Sequence, residues 1–458
     1  MKLIEHIIFA DIGNGEKLMI NSLNGLMDKI NNSVFEIVSM WKNHDKIIPI
    51  TDMEVALFDK LKLRGYLVND RNEELKIKEK ILKALRLNHS KNKANKSSLT
   101  FILTYECNFR CAYCFEGVAN CGNIGDNAEQ RTSNRTASMT TALIDAALDL
   151  VGNDLKTIGL FGGEPLLPKN REAFTYIVSR APDKSYSIIT NGYYLEEFLD
   201  ILVSINISKI MVTLDGDEET HDSRRYLANG KPTYRRILSG IVQCLKNDIP
   251  ICVRMNLDTS NYCEANALKK EFLDRFSEYK DLLSFELSPM MEADVHERNE
   301  MFLKLYQEDL SYSSEEMQRR NSMLSRFSPI VNTITQNSIL RPIHSFCYAH
   351  DNGFLVDPYG NIFPCLLSVG VDDLAIGKYY PEVVFKDNSV RNRNIDTIPE
   401  CKGCKYSLLC GGGCPLRLSD YSNLYRPMCF NIKNEIHNIL PTFYKTKKAT
   451  MANNSTKV

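Results

Sequence analysis

Residues 104–117 read Thr104-Tyr105-Glu106-Cys107-Asn108-Phe109-Arg110-Cys111-Ala112-Tyr113-Cys114-Phe115-Glu116-Gly117. The stretch follows the apolar run Leu99–Leu103, which has the length of a buried strand. It sets Cys107, Cys111 and Cys114 at Cx3CxxC spacing on one short loop. Three thiolates can hold three irons of a four-iron cube, which leaves the fourth iron without a protein ligand. Iron–sulfur clusters normally take four cysteines, so a loop with three suggests an iron kept open for a small molecule. Soft thiolates favour zinc or iron–sulfur over hard cations. Spacing alone leaves two other readings open, a partial zinc site and three unrelated thiols, because zinc sites also use CxxC pairs.

The chain has 458 residues, which predicts roughly two to four domains. Its 43% hydrophobic content is that of an ordinary globular protein. Lys and Arg number 56 against 57 Asp and Glu, so bulk charge argues for neither nucleic acid nor a membrane surface as partner. No apolar run approaches the roughly 20 residues of a spanning helix. The N-terminal run carries Glu5 and His6 and has no small-residue cleavage site, so it does not read as a signal peptide. A cytoplasmic location is expected. In that compartment 14 cysteines point to metal or catalysis rather than disulfides. Three lie in the loop above and seven between Cys347 and Cys429. Cys121, Cys244, Cys252 and Cys263 read as buried or incidental thiols.

Residues 1–95 read as a separate small unit. Ile7–Ala10 and Lys17–Ile20 flank a Gly/Asn turn, a hairpin signal. Val34–Trp41 and Met53–Leu67 carry apolar residues at helical spacing, with Asp52 as N-cap of the second helix and Gly65 turning into Tyr66-Leu67-Val68. The pattern predicts a winged-helix-like module without the basic stripe of a DNA binder; a plain N-terminal lobe of the enzyme is the alternative. Residues 70–98 read as a helix and a polar linker.

From 96 to 290 short apolar runs alternate with helical patterns. Strands are expected at Leu99–Leu103, Thr157–Leu160, Ser187–Ile189, Lys209–Leu214, Ile251–Asn256 and Ser284–Leu287. Helices are expected at 139–152, 169–180, 194–204, 233–247 and 262–276. This predicts an α/β core, a parallel sheet with helices outside. Glu116–Ser138 reads as a flexible insertion, a lid beside the cysteine loop. Residues 291–340 read as a charged helical linker, 341–440 as a Cys-rich domain and 441–458 as a disordered tail.

The signature Cx3CxΦC, with Tyr113 at its aromatic position, resembles that of the radical S-adenosylmethionine (SAM) superfamily. The resemblance implies a partial (β/α)6 barrel whose open iron chelates the methionine end of SAM, which is then cleaved to methionine and 5′-deoxyadenosine through a hydrogen-abstracting radical. Phe161-Gly162-Gly163-Glu164-Pro165 is similar to the superfamily's GGEP motif, which binds the SAM amino group. Thr190-Asn191-Gly192 matches the ribose- or carboxylate-contacting turn. Leu214-Asp215-Gly216 through His221-Asp222 and Arg224-Arg225 resembles an "LDG…HD..R" turn of the peptide- and sulfatase-modifying branch. Arg254 and Asn256 share one face of the fifth strand, and a buried charge there needs a partner. SAM's carboxylate is one such partner and a barrel-internal ion pair is the other.

The second cysteine group reads Cx12Gx4C from Cys347 through Gly360 to Cys365, then Cx2Cx5Cx3C over Cys401, Cys404, Cys410 and Cys414, then Cys429. Two zinc sites would satisfy the spacing. The pattern closely resembles the SPASM domain, which implies two auxiliary [4Fe–4S] clusters and three in all. Cys401, Cys404, Cys410 and Cys429 would hold the outer one, and Cys347, Cys365 and Cys414 the inner one. The fourth inner ligand is left as absent, as His350 or Asp351, or as a substrate thiolate. The N-terminal module resembles the peptide-recognition element of maturases of ribosomally made peptides (RiPPs), which grip a leader peptide at a sheet edge. Together these features resemble the thioether-forming sactipeptide and ranthipeptide maturases. The expected partners are a precursor peptide and a ferredoxin- or flavodoxin-type reductant. The alternative is an anaerobic sulfatase-maturating enzyme forming formylglycine; that family places an Asp after the second tail cysteine, where Leu366 stands here. A metal-stapled scaffold without catalysis is a third reading, which iron counting separates from the others.

Overall fold

The computed structural model describes residues 1–94, 97–114, 116, 135–290, 330, 333, 338–347, 349, 354–387, 390–415 and 423–444. Most of the expected lid and helical linker, together with Cys121, His350, Asp351 and the tail from Lys445, lies outside the described residues.

The N-terminal segment opens with β1 (Lys2–Leu3), then β2 (Ile7–Gly13), β3 (Glu16–Asn21) and β4 (Met27–Asn31), three antiparallel strands in the order β2-β3-β4. Helices α1 (Asn32–Lys42) and α2 (Asp52–Leu63) follow. Thr51, not Asp52, caps α2: its hydroxyl accepts the Glu54 N–H while the Glu54 carboxylate accepts the Thr51 N–H, a capping box that places Asp52 in the first turn. The helix stops at Leu63 rather than Leu67, and β5 (Leu67–Val68) pairs with β1. Helix α3 (Arg71–Ala94) completes the segment.

The hydrophobic residues of these strands alternate between two faces, as the period of a strand requires. Ile8, Ala10 and Ile20 pack against Ile432, Ile436 and Leu440 near the far end of the chain. Ile7 and Met19 share a second core with Val38, Trp41, Ile395 and Ile398. The segment is therefore not separate in its packing: both faces of its sheet are closed partly by residues beyond 390. Helix α3 adds polar ties, Lys78 Nζ donating to the Lys402 carbonyl at 2.7 Å and Arg86 pairing with Asp396 at 2.7 Å.

Next come β6 (Ser98–Ile102), α4 (Thr141–Val151), β7 (Thr157–Phe161), α5 (Arg171–Arg180), β8 (Ser185–Thr190), α6 (Leu199–Leu202), β9 (Asn206–Thr213), α7 (Glu218–Arg224), α8 (Tyr234–Lys246), β10 (Ile251–Leu257), α9 (Tyr262–Arg275) and β11 (Leu283–Pro289). Strands β6 to β11 are parallel neighbours in chain order. All six expected strands are present. Two expectations need correction. Residues 194–204 wind through a mixture of i→i−3 bonds, such as Ser204 N to Ile201 O at 3.0 Å, and i→i−4 bonds, such as Val203 N to Leu199 O at 2.9 Å, and only Leu199–Leu202 is α-helical. The LDG…HD..R stretch contains a helix, α7, capped by the Asp217 carboxylate on the Thr220 N–H.

Leu99, Phe101, Ile158, Leu160, Ile188 and Val253 point at the helices and form the main core. The intervening residues face the lumen. Ser98, Thr100, Gly159 and Ser187 line a cavity of about 390 Å³ there. The lumen side of the last two strands is charged: Arg254 pairs with Glu286 at 3.0 Å and donates to Ser288 Oγ at 3.0 Å.

The tail continues this sheet. Strand β12 (Phe354–Val356) runs parallel to β6, and β13 (Asn361–Phe363), β14 (Gly377–Lys378) and β15 (Val384–Phe385) follow antiparallel, ten strands among the described residues. Asp357, fully buried, closes the β12–β13 turn by accepting the Asn361 N–H at 2.8 Å and the Tyr105 hydroxyl at 2.8 Å. The tail is thereby fastened to the base of the first cysteine loop. Helix α10 (Ser407–Cys410) and helix α11 (Phe430–Asn434), which runs on as a π turn over Glu435–Ile439, carry the last cysteine segments onto the N-terminal sheet. No described helix is long and apolar enough to cross a membrane.

Candidate active site

The first cysteine loop sits at the C-terminal ends of the parallel strands, the end where barrels of this kind carry their chemistry. It is laced down on both sides by main-chain bonds. Gly163 N donates to Thr104 O at 3.0 Å and Glu164 N to Glu106 O at 2.9 Å. Opposite, Arg110 N donates to Tyr226 O at 2.9 Å and Ala228 N to Asn108 O at 2.8 Å. A Cβ at Gly163 would meet Glu106 O at 2.3 Å, so only glycine lets the two backbones approach this closely.

Glu164 is fully buried and acts as a strut. Its carboxylate accepts the Leu166 N–H at 2.8 Å, the Thr190 hydroxyl at 2.6 Å and the Asn191 N–H at 2.7 Å. Burial pushes its carboxyl up to about 6 against these three donors. Asn191 in turn donates through Nδ2 to Asn108 Oδ1 at 2.8 Å, with Cys107 Sγ at 3.8 Å. One chain of contacts thus joins the GGE turn, the TNG turn and the first cysteine.

A second network holds the other side. The Tyr113 hydroxyl donates to Asp215 and accepts from Arg225 Nη1 at 2.8 Å and Asn256 Nδ2 at 3.1 Å. The Asp215 carboxylate also accepts the Asn256 N–H at 3.0 Å. His221, fully buried, accepts the Asp215 N–H on Nδ1 at 3.3 Å and sits 3.1 Å from Thr233 Oγ1 through Nε2. Thr233 gives its own hydroxyl proton to Arg225 O at 2.7 Å, so the network assigns the His221 proton to Nε2. Burial and the two neighbouring arginines hold His221 neutral, well below the ordinary range. Asp222 caps α8 by accepting the Thr233 and Tyr234 N–H groups at 2.7 and 2.9 Å. Arg224 spans Asp258 at 2.7 Å and the Tyr113 ring at 5.3 Å.

Six of the seven tail thiols fall into two groups by mutual influence. Burial and the nearness of Cys410, Cys404 and Cys429 push the Cys401 thiol up to about 12. Burial raises Cys365 as well, with Cys414 adding to it. Among the described residues no three His, Cys, Asp or Glu side chains close on a point as ligands of a single ion do. A four-iron cube asks for something different, thiolates spaced around a larger body.

The family model of the radical SAM superfamily matches residues 101–285. The chain carries a radical SAM domain. Its α/β fold is that of the superfamily, whose members bind SAM and a [4Fe–4S] cluster. The chain is 26% identical over 334 residues to a cysteine-type anaerobic sulfatase-maturating enzyme of Clostridium novyi (strain NT), spanning 67% of this chain and 84% of that one. It is 28% identical over 154 residues to a GTP 3′,8-cyclase of Campylobacter jejuni, 33% of this chain and 44% of that one. Among solved structures it resembles native anSMEcpe with bound AdoMet and Kp18Cys peptide, at a TM-score of 0.53 and 18% identity, over 78% of this chain and 99% of that one.

The residues at the radical SAM loop fit such a cluster. Burial and the approach of Glu164, Cys111 and Cys114 raise the Cys107 thiol, a repulsion that a bound cation relieves. Two buried N–H groups beside the loop, Asn108 Nδ2 and Arg225 Nε, have no partner among the described residues. Arg225 is a fixed positive charge within range of Cys111.

The site residues expected from the sequence divide in two. Cys107, Cys111, Cys114, Gly162, Gly163 and Asn191 border the loop. Glu164 and Asp215 are fully buried and bonded within the protein, where they brace the turns around the loop. Thr190 spends its hydroxyl on Glu164, and Tyr113 spends its own on Asp215. Arg254 has Glu286 as counter-ion, which removes the reason for giving it the SAM carboxylate. Sequence reasoning missed Asn108, Lys78, the Tyr105–Asp357 tie and Arg393. For the first, a polar residue next to a ligating cysteine was a usable signal.

Proposed function

We propose that this chain is a radical SAM maturase that removes hydrogen from a residue of a ribosomally made precursor peptide and leaves a cross-link, a thioether to cysteine. In this reading three [4Fe–4S] clusters are bound, one by Cys107, Cys111 and Cys114 and two by the tail thiols. Bound SAM and its cluster supply a 5′-deoxyadenosyl radical, given one electron from a ferredoxin- or flavodoxin-type donor. The chain's own residues place that chemistry. Gly163 lets the GGE turn close under the loop, Asn191 and Asn108 orient the Cys107 side, and the Tyr113–Asp215–Arg225 network fixes the opposite wall.

The observation that carries the peptide reading is the seat of the N-terminal sheet directly on the cysteine-rich tail, with β4 as an edge strand. An edge strand takes up an extended peptide through backbone bonds and leaves side chains free to vary. Sulfatase maturation is the second reading, supported by the 84% span of the Clostridium novyi relative. Against it stand Leu366, at the position of that family's Asp, and the share of this chain that the anSMEcpe likeness leaves uncovered.

Intact mass separates the two. Anoxically reconstituted protein, SAM and reductant are incubated with a cysteine-rich peptide encoded beside the gene and with a sulfatase-derived peptide. A product lighter by two hydrogens with its sulfur retained supports the cross-link. Conversion of cysteine to formylglycine, with sulfur lost and oxygen gained, supports the alternative. SAM turnover with neither product refutes both.

A further inference from the structure

Arg393 stands out from the other charged residues of the molecule. It is fully buried, and among the described residues no carboxylate pairs with it. Its guanidinium donates only to backbone carbonyls: Leu424 at 2.7 Å, Gly413 at 2.6 Å, Gly412 at 2.6 Å and Arg426 at 2.8 Å. These carbonyls belong to two segments of the tail, the glycine loop between Cys410 and Cys414 and the stretch entering Cys429. Carbonyl dipoles satisfy the N–H groups, but they do not cancel a buried charge. The titratable groups within range are the side chains of Cys401, Cys414, Cys410 and Cys347, which carry negative charge once they are thiolate ligands of a cluster. Two of these belong to the outer ligand group and two to the inner.

We infer that Arg393 is a positioning residue for both auxiliary clusters, the shared cation that pins their ligand loops together and raises their reduction potentials. This rests on the reading of the tail as two [4Fe–4S] sites. The physical reason is direct. One-electron reduction adds a negative charge to a cluster in a poorly screened interior, and a fixed positive charge nearby favours the reduced form. Lys78 gives an internal contrast: its ammonium reaches the loop between Cys401 and Cys404 alone and adjoins the outer group only.

The test uses the full chain with Cys107, Cys111 and Cys114 all changed to Ala, so that the auxiliary clusters give the whole signal. Iron is counted, and reduction is followed by electron paramagnetic resonance in a potential titration. The parent should hold about eight irons. R393Q should shift both auxiliary signals at least tenfold in reduced-to-oxidised ratio at fixed potential, about 59 mV for one electron, toward harder reduction. R393K, which keeps the charge, should stay near the parent, and K78M should shift one signal only. Full iron with unmoved signals in R393Q overturns the inference and leaves the cluster reading intact. If R393Q loses iron, R393K decides: full iron and parent potentials support the role of charge, and loss there too overturns it. A parent holding two zinc ions and no iron overturns both readings.

Discussion

The two cysteine regions of this molecule are held in opposite ways. The loop of Cys107, Cys111 and Cys114 hangs from the ends of parallel strands, with Phe109 and Cys111 buried in the main core of those strands. Its neighbours bond to one another through Glu164, Asp215 and His221. The tail thiols sit on short turns, such as Cys404 N to Cys401 O at 3.2 Å and Gly413 N to Cys410 O at 3.2 Å, and the Arg393 guanidinium is bonded to the glycine loop between Cys410 and Cys414. Leu409 and Cys410 belong to the core shared with the N-terminal sheet, and Cys401 to the other. The first region is braced by buried side chains of the strands around it. In the proposed reading the second would take part of its order from the metal its thiols bind, because metal affinity at such sites is folding free energy.

The largest effect expected from this difference comes from paired cysteine variants. C111A leaves two ligands for the core cluster and should lower SAM cleavage by about three orders of magnitude, with a loss of stability of about 1 kcal/mol from the small cavity left in the main core. C410A should also abolish product, and should lower stability by roughly 3 kcal/mol or more, through lost metal and a hole in the shared core. Calorimetry and 5′-deoxyadenosine release measure the two quantities. Equal destabilisation by both variants would erase the contrast.

Two glycines sharpen it. A Cβ at Gly163 meets the Glu106 carbonyl at 2.3 Å and the Tyr105 carbonyl at 2.5 Å, and neither backbone can move without dragging the cysteine loop. G163A should cost about a hundredfold in SAM cleavage, the scale of an ångström misplacement. A Cβ at Gly403, between two tail cysteines, meets nothing within 4 Å. G403A should leave iron content and turnover unchanged. Loss of iron in G403A would mean that the tail loops are as tightly registered as the core loop.

How much of this was legible in sequence follows the same division. The six strands were readable because Leu99, Phe101, Ile158 and Val253 repeat with the period of the backbone itself. The thiols were readable because their chemistry is local to their spacing. The role of Arg393 was not, since its partners are backbone carbonyls up to 33 residues away, which carry no side-chain signature. Glu164 and Asp215 stand out in their motifs, but their bonds to Thr190, Asn191, Tyr113 and Asn256 carry no sequence signature. A motif shows that a carboxylate is needed at a strand end, and only burial shows that it faces inward. The sharing of Ile8 with Ile436 joins the two ends of the chain, a contact that no local pattern encodes.

The smallest effect concerns Glu164 and its sign. Burial raises its carboxyl from 4.5 to about 6, so the folded chain binds this proton more tightly than the unfolded chain does. Between those values the native state holds more protons, and stability falls as pH rises. The group's contribution is fully present below about pH 4.5 and gone above about pH 6, a change of about 2 kcal/mol. E164Q carries no titrating proton. It also sets an amide N–H against the Asn191 N–H, a constant penalty that leaves the slope alone. Melting curves of the wild-type protein should therefore fall more steeply than those of E164Q from pH 5 to 7, converging toward them from above. Parallel curves would mean that the three donors around Glu164 outweigh its burial, and that the strut is already ionised in the folded socket at pH 5.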